Sequence, residues 1–275
     1  MMPRKVFSTG VIYTHDSWDQ YWEGTLKRSN GNIGTLTTRS VTMAAAYGVT
    51  GGLTLMASLP YVWTHASQGV LNDMNGFQDL TLGAKYRLLR IESANRDIFS
   101  AFIVGTGAVP ITKYTPDFYP LSIGTGGGRA AGRITLNFLP TSGWFITGSS
   151  AYTWCSNVRL NRNSYYTDGQ LYMTNQVAMP NVLENSLGTG YRRGRWQLPL
   201  SLVQQRTLGG GDIRRQDMPF VSNRMNFTRI EGGVMYALNI PGDFSVRVGA
   251  GHVLSGRNVG QSTTLSSGLF YAYHF

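Results

Sequence analysis

The chain has 275 residues, enough for one large domain, with 34 glycines, 12% aromatic residues and only 14% charged residues, against about a quarter in an ordinary soluble protein. No apolar run of about 18 or more residues occurs, which excludes a transmembrane helix. The formal net charge is +10, but the basic residues are scattered singly apart from Arg192-Arg193 and Arg214-Arg215, so no nucleic-acid-binding stripe is present. Many aromatics, modest hydropathy and no helical span together describe a membrane β-barrel, where only alternate residues face lipid.

Alternation of apolar and polar residues predicts strands over 6–15, 35–50, 53–64, 78–90, 97–110, 129–139, 144–156, 182–193, 195–206, 224–238, 244–255 and 262–275. Links after the even-numbered strands are short and turn-like: Thr50-Gly51-Gly52, Ile91 to Arg96, Pro140 to Gly143, Gly194, and Asn239 to Asp243. Links after the odd-numbered strands are mostly long and polar, as at 16–34, 111–128, 157–181 and 207–223. Short turns on one rim and long loops on the other are the organisation of an outer-membrane barrel. The expected fold is all-β: one domain over 1–275, a transmembrane antiparallel up-and-down barrel of about twelve strands (ten to fourteen fit), with both termini periplasmic. No signal core follows Met1-Met2-Pro3-Arg4-Lys5, so the numbering of an exported barrel would begin at or near the mature terminus.

Within strands the period of two assigns faces. Leu80, Leu82, Ala84, Tyr86 and Leu88 share one face, and Asp79, Thr81, Gly83, Lys85 and Arg87 the other. Leu53, Leu55, Ala57, Leu59, Tyr61 and Trp63 stand together in the preceding strand, and Phe244, Val246, Val248 and Ala250 oppose Ser245, Arg247, Gly249 and Gly251 near the end. Inward basic residues are untenable in a dry sandwich core and natural in a wet lumen. An aromatic girdle is expected from Trp63, Trp144, Trp154, Trp196 and Phe244. Trp144 and Trp154 share a facing parity, and their ten-residue separation climbs roughly 23–25 Å at ~3.3 Å per residue and ~40–45° tilt, the height of the apolar band.

The chain stops inside its last strand. Counting back in twos from Phe275 gives Tyr273, Tyr271 and Leu269, with Phe270 the one large apolar residue on the other parity. This is read as the terminal signal through which barrel-assembly machinery takes up its clients. The alternative is the end strand of a β-sandwich.

The segments Gly48 to Val62, Gly76-Phe77-Gln78-Asp79-Leu80-Thr81-Leu82-Gly83-Ala84-Lys85-Tyr86-Arg87-Leu88, and Leu121 to Gly128 resemble the outer-membrane barrel family named for the meta-pathway of phenol degradation. The resemblance covers about 40–275 and departs from the family pattern where Gln78 replaces the Gly of a Gly-Asp pair. It implies outer-membrane location and passage of a small, hydrophobic or aromatic molecule. It also places the family's Asp at Asp79.

Lumen-facing charges are expected at Asp79, Lys85, Arg87, Arg133, Glu184, Arg229, Glu231 and Arg247. Functionally, excess cations would favour anionic solutes; structurally, Arg229 or Arg247 could pair with Glu231 or Glu184 and simply fill the barrel. The alternatives to a hydrophobic-solute channel are therefore an anion-favouring porin and a plugged accessory subunit with envelope partner proteins. A lipid hydrolase is the remote alternative, because His65 and Ser67 stand two apart with Asn72 or Asp73 following. No catalytic, cofactor or metal site is expected: the single Cys155 forms no cluster, the remaining histidines lack ligand spacing, and the glycine run 124–128 lacks a following Lys-Ser/Thr. The aromatic, acidic loop 16–24 could stack on a sugar, touch a partner or cap the barrel. Expected partners are outer-membrane lipid and lipopolysaccharide, the assembly machinery and a small-molecule solute, with no nucleic acid.

Overall fold

Alternating sequences rich in aromatic and β-branched residues form strands, and Gly, Asn and Thr close the turns between them. The computed structural model describes residues 1–93, 96–140, 142–214, 220–240 and 243–275, without the side chain of Arg96. Parts of the short links at 91–96, 140–143 and 239–243, and Arg215 of the basic pair, lie outside the described residues. Twelve long strands run β1 (Val6–Trp18), β2 (Leu36–Gly48), β3 (Leu53–Ala66), β4 (Asp79–Ser93), β5 (Arg96–Pro110), β6 (Arg129–Phe138), β7 (Trp144–Cys155), β8 (Val182–Arg193), β9 (Trp196–Thr207), β10 (Asn226–Ala237), β11 (Asp243–Arg257) and β12 (Thr263–His274).

Each strand pairs with its chain neighbours, and β1 pairs antiparallel with β12 from Val6↔His274 to Ser17↔Thr263, so the meander closes into a barrel. Closure removes both free edges of the sheet. A thirteenth, short strand, Met74–Phe77, pairs with the upper part of β3, Tyr61 opposite Phe77. Both termini lie at the rim of the short turns, since Lys5 donates its N–H to Gly48 O and Phe275 donates to Lys5 O at 3.0 Å.

Two corrections to the sequence reading are local. Residues 16–18 continue β1, and the expected loop beyond contains a hairpin, Gln20–Glu23 with Leu26–Ser29. β4 runs on to Ser93 through a bulge at Arg87/Leu89. The extra residue there turns both Leu88 and Leu89 outward and lets Arg87 and Arg90, three apart, both face in.

The outer face is apolar: Leu82, Ile134, Ile146, Leu187, Val248 and Leu269 are all exposed, on six different strands. A continuous apolar belt of this kind needs lipid around it. Among the described residues no helix is long and apolar enough to cross a membrane, so strands alone do the spanning. At the short-turn rim Trp144 meets Tyr191 (5.3 Å between ring centroids), Trp196 meets Tyr236 (4.4 Å) and Phe244 meets Tyr271 (4.7 Å). Towards the long-loop end Trp63 packs on Tyr61 (4.7 Å) and Trp154 on Tyr152 (4.8 Å). Each such pair adds about 0.5–1.5 kcal/mol beyond its buried area.

The inner face carries glycines opposite aromatics. Phe270, the residue that broke the alternation of the last strand, points inward and lies across Gly10, where a Cβ would collide with its ring. Phe145 covers Gly190 in the same way. The glycine leaves room for the ring, and the ring shields the bare backbone from water.

Candidate channel lumen

The inward charges are mostly paired across strands. Arg133 on β6 donates to Glu184 on β8 at 2.8 Å and to Ser149 Oγ at 3.2 Å, and Ser149 bonds Ser186 at 2.8 Å. Arg229 pairs with Glu231 two residues along β10, and the Arg229 Nε is buried without a hydrogen-bond partner among the described residues. Glu184 therefore takes Arg133, rather than Arg229 or Arg247, because the β6–β7–β8 register places Arg133 and Glu184 on either side of Ala151. Arg247 faces the same space as Arg229 and Glu231 and makes no ion pair among the described residues. Lys85 lies over the ring of Phe102, 4.3 Å from its centroid. Arg87 donates to Gly51 O at 2.9 Å and stands 3.8 Å from Asp97.

Asp79 is buried, and its partners are neither Lys85 nor Arg87 but Arg129 and the hydroxyl of Tyr114, which donates to Oδ1 at 2.9 Å. Burial, with the neighbouring carboxylate second, pushes the Tyr114 phenol well above its usual range. Neither partner was legible from β4 alone: Arg129 opens β6, two strands away, and Tyr114 sits in the connecting loop 111–128.

That loop turns into the barrel instead of standing clear. Thr64, inward on β3, donates to Leu121 O at 2.6 Å, and Gln78 Nε2 donates to Ile123 O at 2.6 Å. Leu121 is wholly buried and Ile123 lies against Gly76. Gln78, the departure from the family pattern, thus supplies a side-chain tether for the inserted loop. The glycines 124–128 lead into β6, not into a helix, and Tyr114 lies across Gly124.

Segments 156–181, 208–214 and 220–225 complete a cap. Leu160, Tyr165, Val177, Phe220 and Val221 form a small apolar core, and Tyr119 and Met179 pack against it. Asp117 ties the inserted loop to this cap through Arg162 at 2.7 Å and the Asn161 N–H at 2.9 Å. Beneath it lies a cavity of about 430 Å³ whose walls include Val104, Tyr119, Met179, Val182, Met225 and the Arg133–Glu184 pair. Ligand pockets for small molecules are of this size and mixed character. A second space of about 360 Å³ follows β1–β3 along Gly10, Ala44, Ala46, Met56 and Phe270, walled by small and apolar side chains. Cys155 lines the larger cavity as a free thiol.

The other singled-out residues are structural in their contacts. Trp22 is buried against Gly256 and Trp18 covers Gly260, so the aromatic loop packs onto β11 and the link to β12, and these two Trp rings are turned to the barrel rather than presented for stacking on a sugar. His65 Nδ1 bonds Asp73 Oδ2 at 2.7 Å, both well exposed, while Ser67 Oγ accepts the Thr35 N–H at 2.8 Å. No hydrogen bond joins Ser67 to His65 among the described residues. No three His, Cys, Asp or Glu side chains among the described residues are placed to hold a metal. Phe275 is largely exposed and meets Tyr273 and Tyr47 edge-on at 4.8 and 6.4 Å.

The fold is that of outer-membrane barrels. An outer membrane channel from Pseudomonas putida F1 superposes with a TM-score of 0.79 at 17% identity, over 99% of this chain and 97% of that one. The NanC porin gives 0.52 at 9% identity, over 94% and 98%. The translocator domain of the autotransporter NalP from Neisseria meningitidis gives 0.50 at 12% identity, over 100% and 90%. No curated protein matches the sequence. The profile of one family matches residues 24–268, and the chain accordingly belongs to the family described as "Putative MetA-pathway of phenol degradation".

Proposed function

We propose that the protein is a bacterial outer-membrane channel that carries a small hydrophobic or aromatic molecule through its barrel without transforming it. The observation that carries this reading is the cavity of about 430 Å³ under the loop cap, with Met, Val and Tyr side chains in its wall and its charges already paired. Paired charges ask for no counter-ion, so an apolar guest displaces little bound water and leaves no polar group unsatisfied. The channel found in Pseudomonas putida, with its matching fold, supports the same reading. In this reading the apolar belt faces membrane lipid and lipopolysaccharide and the short-turn rim faces the periplasm. Leu269, Tyr271, Tyr273 and Phe275 form the strand end presented to the assembly machinery.

The test is to fill the cavity. Ala151 is buried in the lumen wall between Arg133 and Glu184. Ala151→Trp should cut uptake of a fluorescent naphthylamine probe into proteoliposomes by roughly fivefold or more, given that a pocket of this class holds one small ligand. Heat-modifiable gel migration should stay native. Uptake unchanged in a folded variant would refute passage through this cavity. A hydrolase would need Ser67 to give its proton to His65; phospholipid left intact by the purified protein, with and without calcium, removes that alternative.

A further inference from the structure

The charge balance changes along the lumen. Near the loop cap and at mid-barrel, Arg129, Arg133 and Arg229 each have their own carboxylate, and Arg247 beside Arg229 is a single exception among the described residues. At the short-turn mouth the pattern is different. Lys85, Arg87 and Arg90 from β4 and Arg192 from β8 converge there, and the carboxylates with them are Asp97 and Glu92. Asp97 is shared between Arg87 and Arg90, and Glu92 is held by Arg90. Arg192 spends its donors on a neutral acceptor, Gln197 Oε1, at 2.8 and 3.2 Å, and Lys85 rests on the Phe102 ring. Neither meets a carboxylate among the described residues.

Geometry joins these groups into one site. A space of about 760 Å³ at this rim is bounded by Arg90, Asp97, Tyr191, Arg192 and Arg193. Lys85 stands opposite Thr54, whose hydroxyl donates to the Met1 sulfur, and Arg87 donates to Gly51 O in a turn of the same rim. The bulge in β4 aims Arg90 into this space; without it the side chain would face lipid. Clefts lined by one sign of charge with low-dielectric walls concentrate counter-ions of the other sign.

We propose that the short-turn mouth is a binding site for a small carboxylate, so that the molecules carried include amphipathic acids with an apolar body. Lys85 and Arg192, which of these four cations meet no carboxylate among the described residues, are the groups that receive it, and Tyr191 with the turn at Leu139 and Pro140 lies beside its apolar part. The arrangement rests on the proposed channel function for its cargo but not for its charge selectivity.

The test uses full-length protein in planar bilayers under a salt gradient, with Lys85→Gln/Arg192→Gln and, as control, Arg206→Gln. Arg206 lies at the loop end of β9 and has the outward parity of Leu200 and Leu202. The unaltered protein should be anion-selective by roughly threefold and the double variant close to unselective, as expected on removing a charged ring, with R206Q unchanged. Benzoate should lower the conductance and bind the detergent-solubilised protein by calorimetry, benzyl alcohol should do neither, and the double variant should lose both responses to benzoate. Cation selectivity, an equal shift in R206Q, or no benzoate heat with the folded protein overturns the proposal, and a sealed barrel is judged on the calorimetry alone. Loss of naphthylamine uptake in A151W with anion selectivity retained would separate this site from the hydrophobic passage.

Discussion

Asp79 offers the sharpest test of how the lumen is held, because its ion pair is lopsided. The carboxylate side chain is only 6% exposed, while the Arg129 guanidinium side chain is 45% exposed. Asp79→Ala removes a charge-assisted hydrogen bond of about 1.5–3 kcal/mol and a neutral one of about 1 kcal/mol from Tyr114. The arginine left behind can rehydrate in the lumen, so the net loss should be about 2–4 kcal/mol. Asp79→Asn keeps an acceptor for Tyr114 and should cost about half as much. Arg129→Gln does the reverse: it strands a buried carboxylate, and breaking a buried pair that way costs about 3–5 kcal/mol. The expected order of destabilisation is therefore R129Q, then D79A, then D79N. Urea titration of protein refolded into lipid vesicles, read by heat-modifiable migration, measures it. Trypsin should also cut faster after Lys113 in all three, because Asp79 anchors the inserted loop through Tyr114. If R129Q proves milder than D79N, or all three lie within about 0.5 kcal/mol of the unaltered protein, the carboxylate is not the buried partner and the account of the loop anchor fails.

Deleting Phe275 should lower outer-membrane levels in cells far more than it shifts the urea midpoint of refolded protein, since the residue stabilises the folded barrel through edge contacts of its exposed ring with Tyr47 and Tyr273 and one backbone hydrogen bond to Lys5 O; normal membrane levels would count against an assembly role. Phe270→Ala should destabilise by about 1.5–3 kcal/mol and expose the Gly10 backbone to the lumen, and an unaltered unfolding midpoint would contradict the inward placement of the ring. In the loop segment 208–214, hydrogen bonds from Arg257, with Asn258 adding to them, hold the Asp212 carboxyl at about 2, below its ordinary 3.8. A depressed acid stabilises the folded form above its unfolded value and loses that contribution as pH falls, so pepsin cleavage of this loop should rise as the pH is lowered from about 4 to about 2. Asp212→Asn should show the looser loop to trypsin already at neutral pH, and a pH-independent cleavage rate would dismiss the anchor.

The strands were legible because facing is local: in a pleated strand every second residue shares a side whatever its neighbour is. Leu80 to Leu88 and Leu53 to Trp63 therefore sort correctly from sequence alone, and so does the alternation of short and long links. The bulge at Arg87/Leu89 was not legible, since nothing in Arg87-Leu88-Leu89-Arg90 announces a lost pairing, and Arg90 was missed with it. Loop 111–128 was equally opaque: its tethers, Thr64, Gln78 and Asp79, belong to other segments.

Sequence by itself determined a barrel, its lipid-facing residues and the strand on which it ends, because those follow from a period of two repeated along the chain. The tertiary structure decided which charge meets which: Asp79 with Arg129, Glu184 with Arg133, and Lys85 and Arg192 with no carboxylate among the described residues. Ion pairs depend on register between strands and on loops that fold back over them, and both are set by closure of the whole sheet rather than by any single segment.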